Sequence, residues 1–367
     1  MFLKSVSVTN FRNYKNLSID LGPNVNIIYG NNAQGKTNLL ESIYFLALTK
    51  SHRSFIDDNL IMEGEKSSKI SCVLNNNNID KELKIVLTSS TKKMFIDGFN
   101  YKKVSDYVSN MNVIIFYPED LELVKGGPIV RRRYLNLELT QLYSNYMDIL
   151  TDYKKLIKIK NNYLKSLKTG VKMDKNYYSI LNEYIIKKSI LIYVMRKKFI
   201  DKINSFAESI FFDLSGIHGF CIKYKTTIDM NDTDKDRIYS EMVNLSHDIL
   251  SDEIKMCKNL LGPSFDDFEF YIDDMNVKRY GSQGQQRMAV LAIKLSEIEI
   301  FKNYIGTSPI LLLDDVFSEL DSLKRNNLLK YVDSSIQTII TATDLFNFDD
   351  DLINRSKLFH IDNGNIL

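Results

Sequence analysis

Two distant stretches of this chain carry residue types that can do chemistry together. The first is Gly30-Asn31-Asn32-Ala33-Gln34-Gly35-Lys36-Thr37, a complete G-x-x-x-x-G-K-T pattern. Its glycines let the backbone curl so that N–H groups face anionic oxygens, and the helix start beyond Lys36 adds a positive dipole end. At this spacing the lysine reaches the β- and γ-phosphates of a nucleotide, and the threonine hydroxyl ligates Mg²⁺. The second stretch is Ile310-Leu311-Leu312-Leu313-Asp314-Asp315, an apolar run that ends in two carboxylates. The first carboxylate is placed to hold Mg²⁺, directly or through water; the second could orient or deprotonate an attacking water. Lys36, Asp314 and Asp315 are therefore the candidate catalytic residues, and Thr37 and Asp314 the candidate metal ligands. Gly30, Asn31, Asn32, Ala33, Gln34, Gly35, Lys36, Thr37 and Asn38 are the candidate phosphate contacts.

These residues need a scaffold, and the hydrophobic pattern supplies one. Val25 to Tyr29 is β-branched and apolar and predicts a buried strand before the loop; Asn38 to Leu48 predicts the helix after it. Met1 to about Asp20 predicts strands, and short alternating runs between Lys69 and Asp97, with the Asp97-Gly98 turn, predict an antiparallel sheet. Val113 to Phe116 is a further buried strand, ended by Tyr117-Pro118-Glu119-Asp120. Past Gly126-Gly127-Pro128 the period changes. Leu135, Leu139, Leu142, Tyr146, Ile149, Tyr153 and Leu156 form a heptad seam, followed by helical stretches from about Asp174 to Asp213 and Asp234 to Asn259. Beyond Gly262-Pro263 the strands return: Phe265 to Ile272, Pro309 to Asp315, Thr338 to Asp344 and Lys357 to Ile361, with a helix from Met288 to Phe301. The expected organisation is an α/β head with a mixed sheet and an antiparallel β-subdomain, carrying an inserted antiparallel helical arm. Residues 1–128 and 262–367 make the head, and residues 129–261 the arm.

Composition narrows the class. The 367 residues are 44% hydrophobic and 26% charged, with a net charge of +2, so by bulk count the chain is marked neither as a polyanion binder nor as an acidic tail protein. No apolar run is long enough to span a bilayer, the N-terminus lacks a signal-peptide core, and three scattered cysteines fit a reducing compartment. A cytoplasmic protein with no membrane partner is expected. One region departs from the average. Residues 151–202 hold fourteen Lys/Arg against four acids, a net of about +10. The composition leaves two readings open, a solvated helix face or a polyanion-facing surface.

Ser282-Gln283-Gly284-Gln285-Gln286-Arg287 resembles the S-G-G-Q signature of ABC-type ATPases, and Ser318-Glu319-Leu320-Asp321 matches the D-loop of that class. Thr343 stands where transporters usually carry a switch histidine. Together with Asn10-Phe11-Arg12-Asn13-Tyr14, Pro118-Glu119-Asp120-Leu121, Lys125-Gly126 and Arg131-Arg132-Arg133-Tyr134-Leu135, these motifs resemble the RecF family over the full length. RecF proteins are bacterial recombination and gap-repair ATPases of the SMC-like ABC superfamily. Asn136 departs from the pattern, where Asp is expected.

The resemblance implies a protein that binds ATP and Mg²⁺ and dimerises when ATP is sandwiched between two heads. It implies binding of single- and double-stranded DNA at gaps and junctions, and loading of the recombinase with RecO and RecR, in repair, replication and the SOS response. Turnover would be weak, DNA-stimulated and used as a switch. It adds Arg12, Ser282, Gly284, Gln285, Asp321 and Thr343 to the nucleotide contacts. It also gives weight to the basic arm as a DNA surface, with Lys154, Lys155, Lys158, Arg196, Lys197 and Lys198 as candidate phosphate contacts. Two rival readings share part of the pattern. The ATPase subunit of an ABC transporter has the same fold, but the helical insertion and Thr343 count against it. An interaction protein with a degenerate site would have lost some of Lys36, Thr37, Ser282, Asp314 and Asp315, all of which are present.

Overall fold

The computed structural model describes residues 1–54, 56–320, 322–331, 336–346 and 348–367. The chain divides into two units. One comprises Met1–Leu121, Ser209–His218 and Arg287–Leu367; the other comprises Glu122–Glu208 and Gly219–Gln286.

The first unit is built on two sheets. Strands Tyr14–Asp20, Phe2–Phe11, Ser67–Asn76, Ile79–Thr88, Lys92–Ile96 and Phe99–Tyr101 lie side by side in that order, every pair antiparallel. Their sequences alternate because one face is covered: Ile70, Cys72 and Leu74 are buried, as are Leu83, Ile85 and Leu87 on the neighbouring strand. The second sheet runs Asn365–Ile366, Lys357–Asp362, Val25–Tyr29, Thr338–Ala342, Ile310–Asp314, Val113–Phe116. From Lys357–Asp362 onward the pairs are parallel. Parallel strands buried on both faces read as unbroken apolar runs, and Ile310 to Leu313 are each fully buried. Gln337 ties the two sheets together. Its side chain accepts from the Leu3 amide and donates to the Leu3 and Gly22 carbonyls.

The second unit contains helices Pro128–Leu142, Tyr146–Lys168, Lys235–Asp248 and Leu250–Met256, and most of the 41-residue helix Lys175–Ser215. Helices Tyr146–Lys168 and Lys175–Ser215 run antiparallel. Asp152 pairs with Lys188, Lys160 with Asn182, and Tyr163 with Asp174, so partners move in opposite directions along the two. The heptad seam is split between two helices, because Ser144-Asn145 interrupts it. Strand Phe220–Lys225, which the helical periodicity around it hides, pairs antiparallel with Asp267–Ile272. The corresponding unit limits fall at 121/122 and 286/287, where the sequence suggests breaks at 128/129 and 261/262. Residues 262–286 therefore group with the helices.

Candidate functional site

The phosphate loop leaves strand Val25–Tyr29 and enters helix Lys36–Leu48. Its two outer glycines are required by the backbone. Gly30 has φ +150°, and a Cβ there would meet the Ile361 carbonyl oxygen at 2.2 Å. Gly35 has φ +113°, and a Cβ would strike Asn13 Nδ2 at 2.6 Å and the Tyr14 hydroxyl at 2.8 Å. Two neighbours hold the loop from outside: Asn13 Nδ2 donates to the Gln34 carbonyl at 3.2 Å, as does the Gly364 amide at 3.1 Å. The loop is thus a cradle walled by the first hairpin and the last one.

Lys36 is buried and donates from Nζ to the carbonyls of Gly30 at 2.6 Å and Asn31 at 2.7 Å. Burial pushes its pKa down, opposed by the carboxylates of Asp315 and Asp314. Thr37 Oγ1 donates to Asp314 Oδ1 at 2.9 Å, and Thr341 Oγ1 donates to the same oxygen at 2.7 Å. Parallel pairing sets this up, since Asp314 lies opposite Thr341 in the ladder. Thr341 Oγ1 also accepts from the Asp315 amide at 3.0 Å, where Asp315 turns the chain with φ +52°. Burial raises the Asp314 pKa, against hydrogen bonds from Thr341 and Thr37 and the charge of Arg53; Asp315 adds to the rise. A small cavity of about 40 Å³ beside Asp314 is lined by Phe116, Tyr117, Asp120, Arg287 and Leu291 among others. Asp120 is buried there, its pKa pushed up to about 6 by burial despite Lys294 at 3.8 Å.

The structure brings together Lys36, Thr37, Asn38, Asp314 and Asp315, and adds Thr341, Asn13, Glu41 and Arg53. Asn38 donates to Asn13 Oδ1 at 2.8 Å and accepts from Arg53 Nη1 at 2.9 Å. Arg12 does not point a free guanidinium at the loop. It is bound bidentately to the buried Glu41, Nε at 2.9 Å and Nη2 at 2.8 Å. A signal for Glu41 lay in the helix pattern, a carboxylate one turn after Thr37 on an otherwise apolar helix.

Ser282, Gly284 and Gln285 belong to the second unit. Ser282 Oγ accepts from the Gln285 amide at 3.2 Å, and Gln285 Oε1 accepts from the Ser282 amide at 2.8 Å. This reciprocal pair is a capping box opening helix Gln283–Ile305. Thr343 Oγ1 donates to Asp344 Oδ2 at 3.1 Å. Asp321 lies outside the described residues.

The expected DNA face needs correction. Lys154, Lys155, Lys158 and Lys198 are exposed, and Lys197 pairs with Asp201 at 2.5 Å. Arg196 is 2% exposed and faces inward. Its Nη1 donates to both Asp266 oxygens at 2.6 Å and to the Pro263 carbonyl at 2.7 Å. Its Nη2 donates to Asn136 Oδ1 at 2.8 Å. An arginine in a basic run carries no mark of burial; the acid that takes it inside is 70 positions away. Asn136, which departs from the family pattern, makes the local polar contact as an amide and also accepts from the Tyr146 hydroxyl at 2.8 Å.

A parallel sheet with a phosphate loop at one strand end, a carboxylate at another and an antiparallel sheet beside it defines a P-loop head of the ABC and SMC type. The chain belongs to the family of the RecF/RecN/SMC N terminal domain, whose model matches residues 2–356. It is 38% identical over 370 residues to the DNA replication and repair protein RecF of Staphylococcus haemolyticus (strain JCSC1435), covering 100% of both chains. It is 40% identical over 369 residues to the protein of the same name from Lactobacillus johnsonii (strain CNCM I-12250 / La1 / NCC 533), covering 100% of this chain and 99% of that one. Among solved structures, the recombination mediator protein RecF-ATP in the RecFOR pathway matches with a TM-score of 0.92 at 29% identity, covering 100% of this chain and 97% of that one. The Smc head domain of Pyrococcus furiosus, at 14% identity and a TM-score of 0.56 over 100% of this chain and 95% of that one, shares the fold alone. Among the described residues no helix is long and apolar enough to cross a membrane.

Proposed function

We propose that the chain is an ATP-dependent DNA-binding protein of recombinational gap repair; its full-length relatives are named DNA replication and repair proteins. The observation that carries this reading is the Thr37–Asp314 hydrogen bond at 2.9 Å beside Lys36, in a chain that matches those relatives end to end. The cradle formed by Gly30 and Gly35 suits a triphosphate, and a hydroxyl with a buried carboxylate is a hard oxygen set suited to Mg²⁺. Thr37 and Asp314 would hold the ion, which supplies charge neutralisation at the phosphate oxygens. Lys36 exchanges its bonds to the Gly30 and Asn31 carbonyls for phosphate oxygens. Asp315 orients the attacking water from a position fixed by the Thr341 hydroxyl.

Ser282 acts on the nucleotide held by a second copy, so that ATP drives dimerisation and hydrolysis releases it. The closed dimer binds single- or double-stranded DNA at gaps and acts with RecO and RecR. The exposed Lys154, Lys155, Lys158 and Lys198 are the candidate phosphate contacts. Sedimentation with and without ATP and gapped duplex, alongside turnover, tests this. A dimer that forms with ATP, and turnover that DNA raises, are expected. A monomer under all conditions with no turnover overturns the reading.

A further inference from the structure

Glu41 is a carboxylate with no exposure at all, one helical turn beyond Thr37. A buried charge persists only where cations and hydrogen bonds replace water. Glu41 has two arginines. Arg12 takes both of its oxygens, and Ser51 Oγ donates to Oε1. Arg53 Nη1 stands 3.7 Å from Oε2, and donates instead to Asn38 Oδ1 at 2.9 Å. From Asn38 the chain of hydrogen bonds continues through Asn13 to the Gln34 carbonyl of the phosphate loop. Arg12 is further fixed by its bond to the Asn59 carbonyl at 2.8 Å and by a left-handed backbone, φ +52°. One carboxylate therefore holds the Arg12 guanidinium and faces that of Arg53, which reaches the phosphate loop through Asn38 and Asn13; Arg53 is the more loosely held, with its side chain 39% exposed.

We propose that Glu41 is a positioning residue of the nucleotide site, aligning Arg12 and Arg53 beside the phosphate loop without touching the nucleotide. The inference rests on the reading of the loop as an ATP site. It separates two effects that a merely structural ion pair would not. Replacing Glu41 by Gln removes one negative charge near a polyanion, so ATP affinity is held or rises. It also removes one of the two acceptors that hold Arg12 and the charge that faces Arg53, so their alignment loosens and the chemical step slows.

The test measures ATP affinity and single-turnover hydrolysis for wild type and Glu41→Gln, with circular dichroism to confirm folding. Affinity within threefold of wild type or tighter, with hydrolysis at least about tenfold slower, supports the proposal. Hydrolysis within twofold of wild type in folded Glu41→Gln overturns it. If Glu41→Gln does not fold, Ser51→Ala removes one bond to Glu41 and leaves its charge. Hydrolysis about threefold slower at unchanged affinity then supports the proposal, and unchanged hydrolysis overturns it. Wild-type protein that neither binds nor hydrolyses ATP overturns the nucleotide reading itself, whereas wild-type rates matched by the variants overturn the role of Glu41 alone.

Discussion

Thr37 and Asp314, 277 positions apart, share a hydrogen bond of 2.9 Å, and Thr341 bonds the same carboxylate oxygen at 2.7 Å. Two hydroxyls therefore favour the charged form of Asp314, against the burial that raises its pKa. Asp314→Asn and Lys36→Arg should each abolish ATP turnover while leaving the fold intact. The first loses the metal-holding carboxylate. The second replaces a compact ammonium, seated between two carbonyls, with a planar fork that does not fit the closed loop. Asp315→Asn should leave ATP bound and unhydrolysed. Turnover assays with circular dichroism check all three, and a wild-type rate in any of them contradicts the assignment.

Ser282 has a local task that must be separated from any task in a dimer. Its hydroxyl caps helix Gln283–Ile305. Ser282→Ala should cost about 1 kcal/mol in unfolding free energy from the lost cap. Ser282→Asp keeps a capping acceptor, so stability should hold, yet its carboxylate should repel a partner's triphosphate and block ATP-dependent dimerisation. Urea unfolding and sedimentation of both variants read the two effects apart. An Asp variant that dimerises at the wild-type concentration contradicts a role in trans.

Asp120 gives the head a pH dependence. Its pKa, pushed from 3.8 to about 6 mainly by burial, lies above that of the unfolded chain. The folded state thus binds the extra proton, and this group's contribution to stability falls as pH rises between about 4 and 6. The penalty is complete above that window. The gap corresponds to roughly 3 kcal/mol. Asp120→Asn lacks the titration, so its unfolding free energy relative to wild type should improve by that order from pH 4 to pH 7. Denaturant unfolding at the two pH values decides it; a constant difference shows that the carboxyl does not titrate in this range.

Much of the head was legible because its signals are local. A G-x-x-x-x-G-K-T run between an apolar strand and a helix, and an apolar run ending in Asp314-Asp315, need no tertiary information. What stayed hidden depends on pairing across long separations. Thr341 looks like any polar residue at a strand end until the ladder sets it opposite Asp314. Arg53 looks like an ordinary surface charge until the loop after the helix folds back toward Glu41. Strand Phe220–Lys225 lies between two helical stretches and was invisible to a helical period.

The basic arm shows the same limit, and it yields the sharpest contrast among variants. Lys154, Lys155 and Lys158 are exposed on helix Tyr146–Lys168, whereas Arg196 is buried against Asp266. If the three lysines bind phosphates, reversing their charge should weaken binding to all DNA sequences about equally. It should also flatten the log–log salt dependence by roughly 0.9 for each phosphate that is no longer neutralised. Arg196→Ala should act otherwise. It strands the Asp266 carboxylate in the interior, at a cost of roughly 3–5 kcal/mol. Its loss of DNA binding should follow unfolding, with the salt slope of the surviving folded fraction unchanged. Filter binding across a salt series, paired with urea unfolding, distinguishes the two. A flattened slope in a stably folded Arg196→Ala protein would return that residue to the DNA surface; unchanged slopes in the lysine reversals would move the surface off this helix.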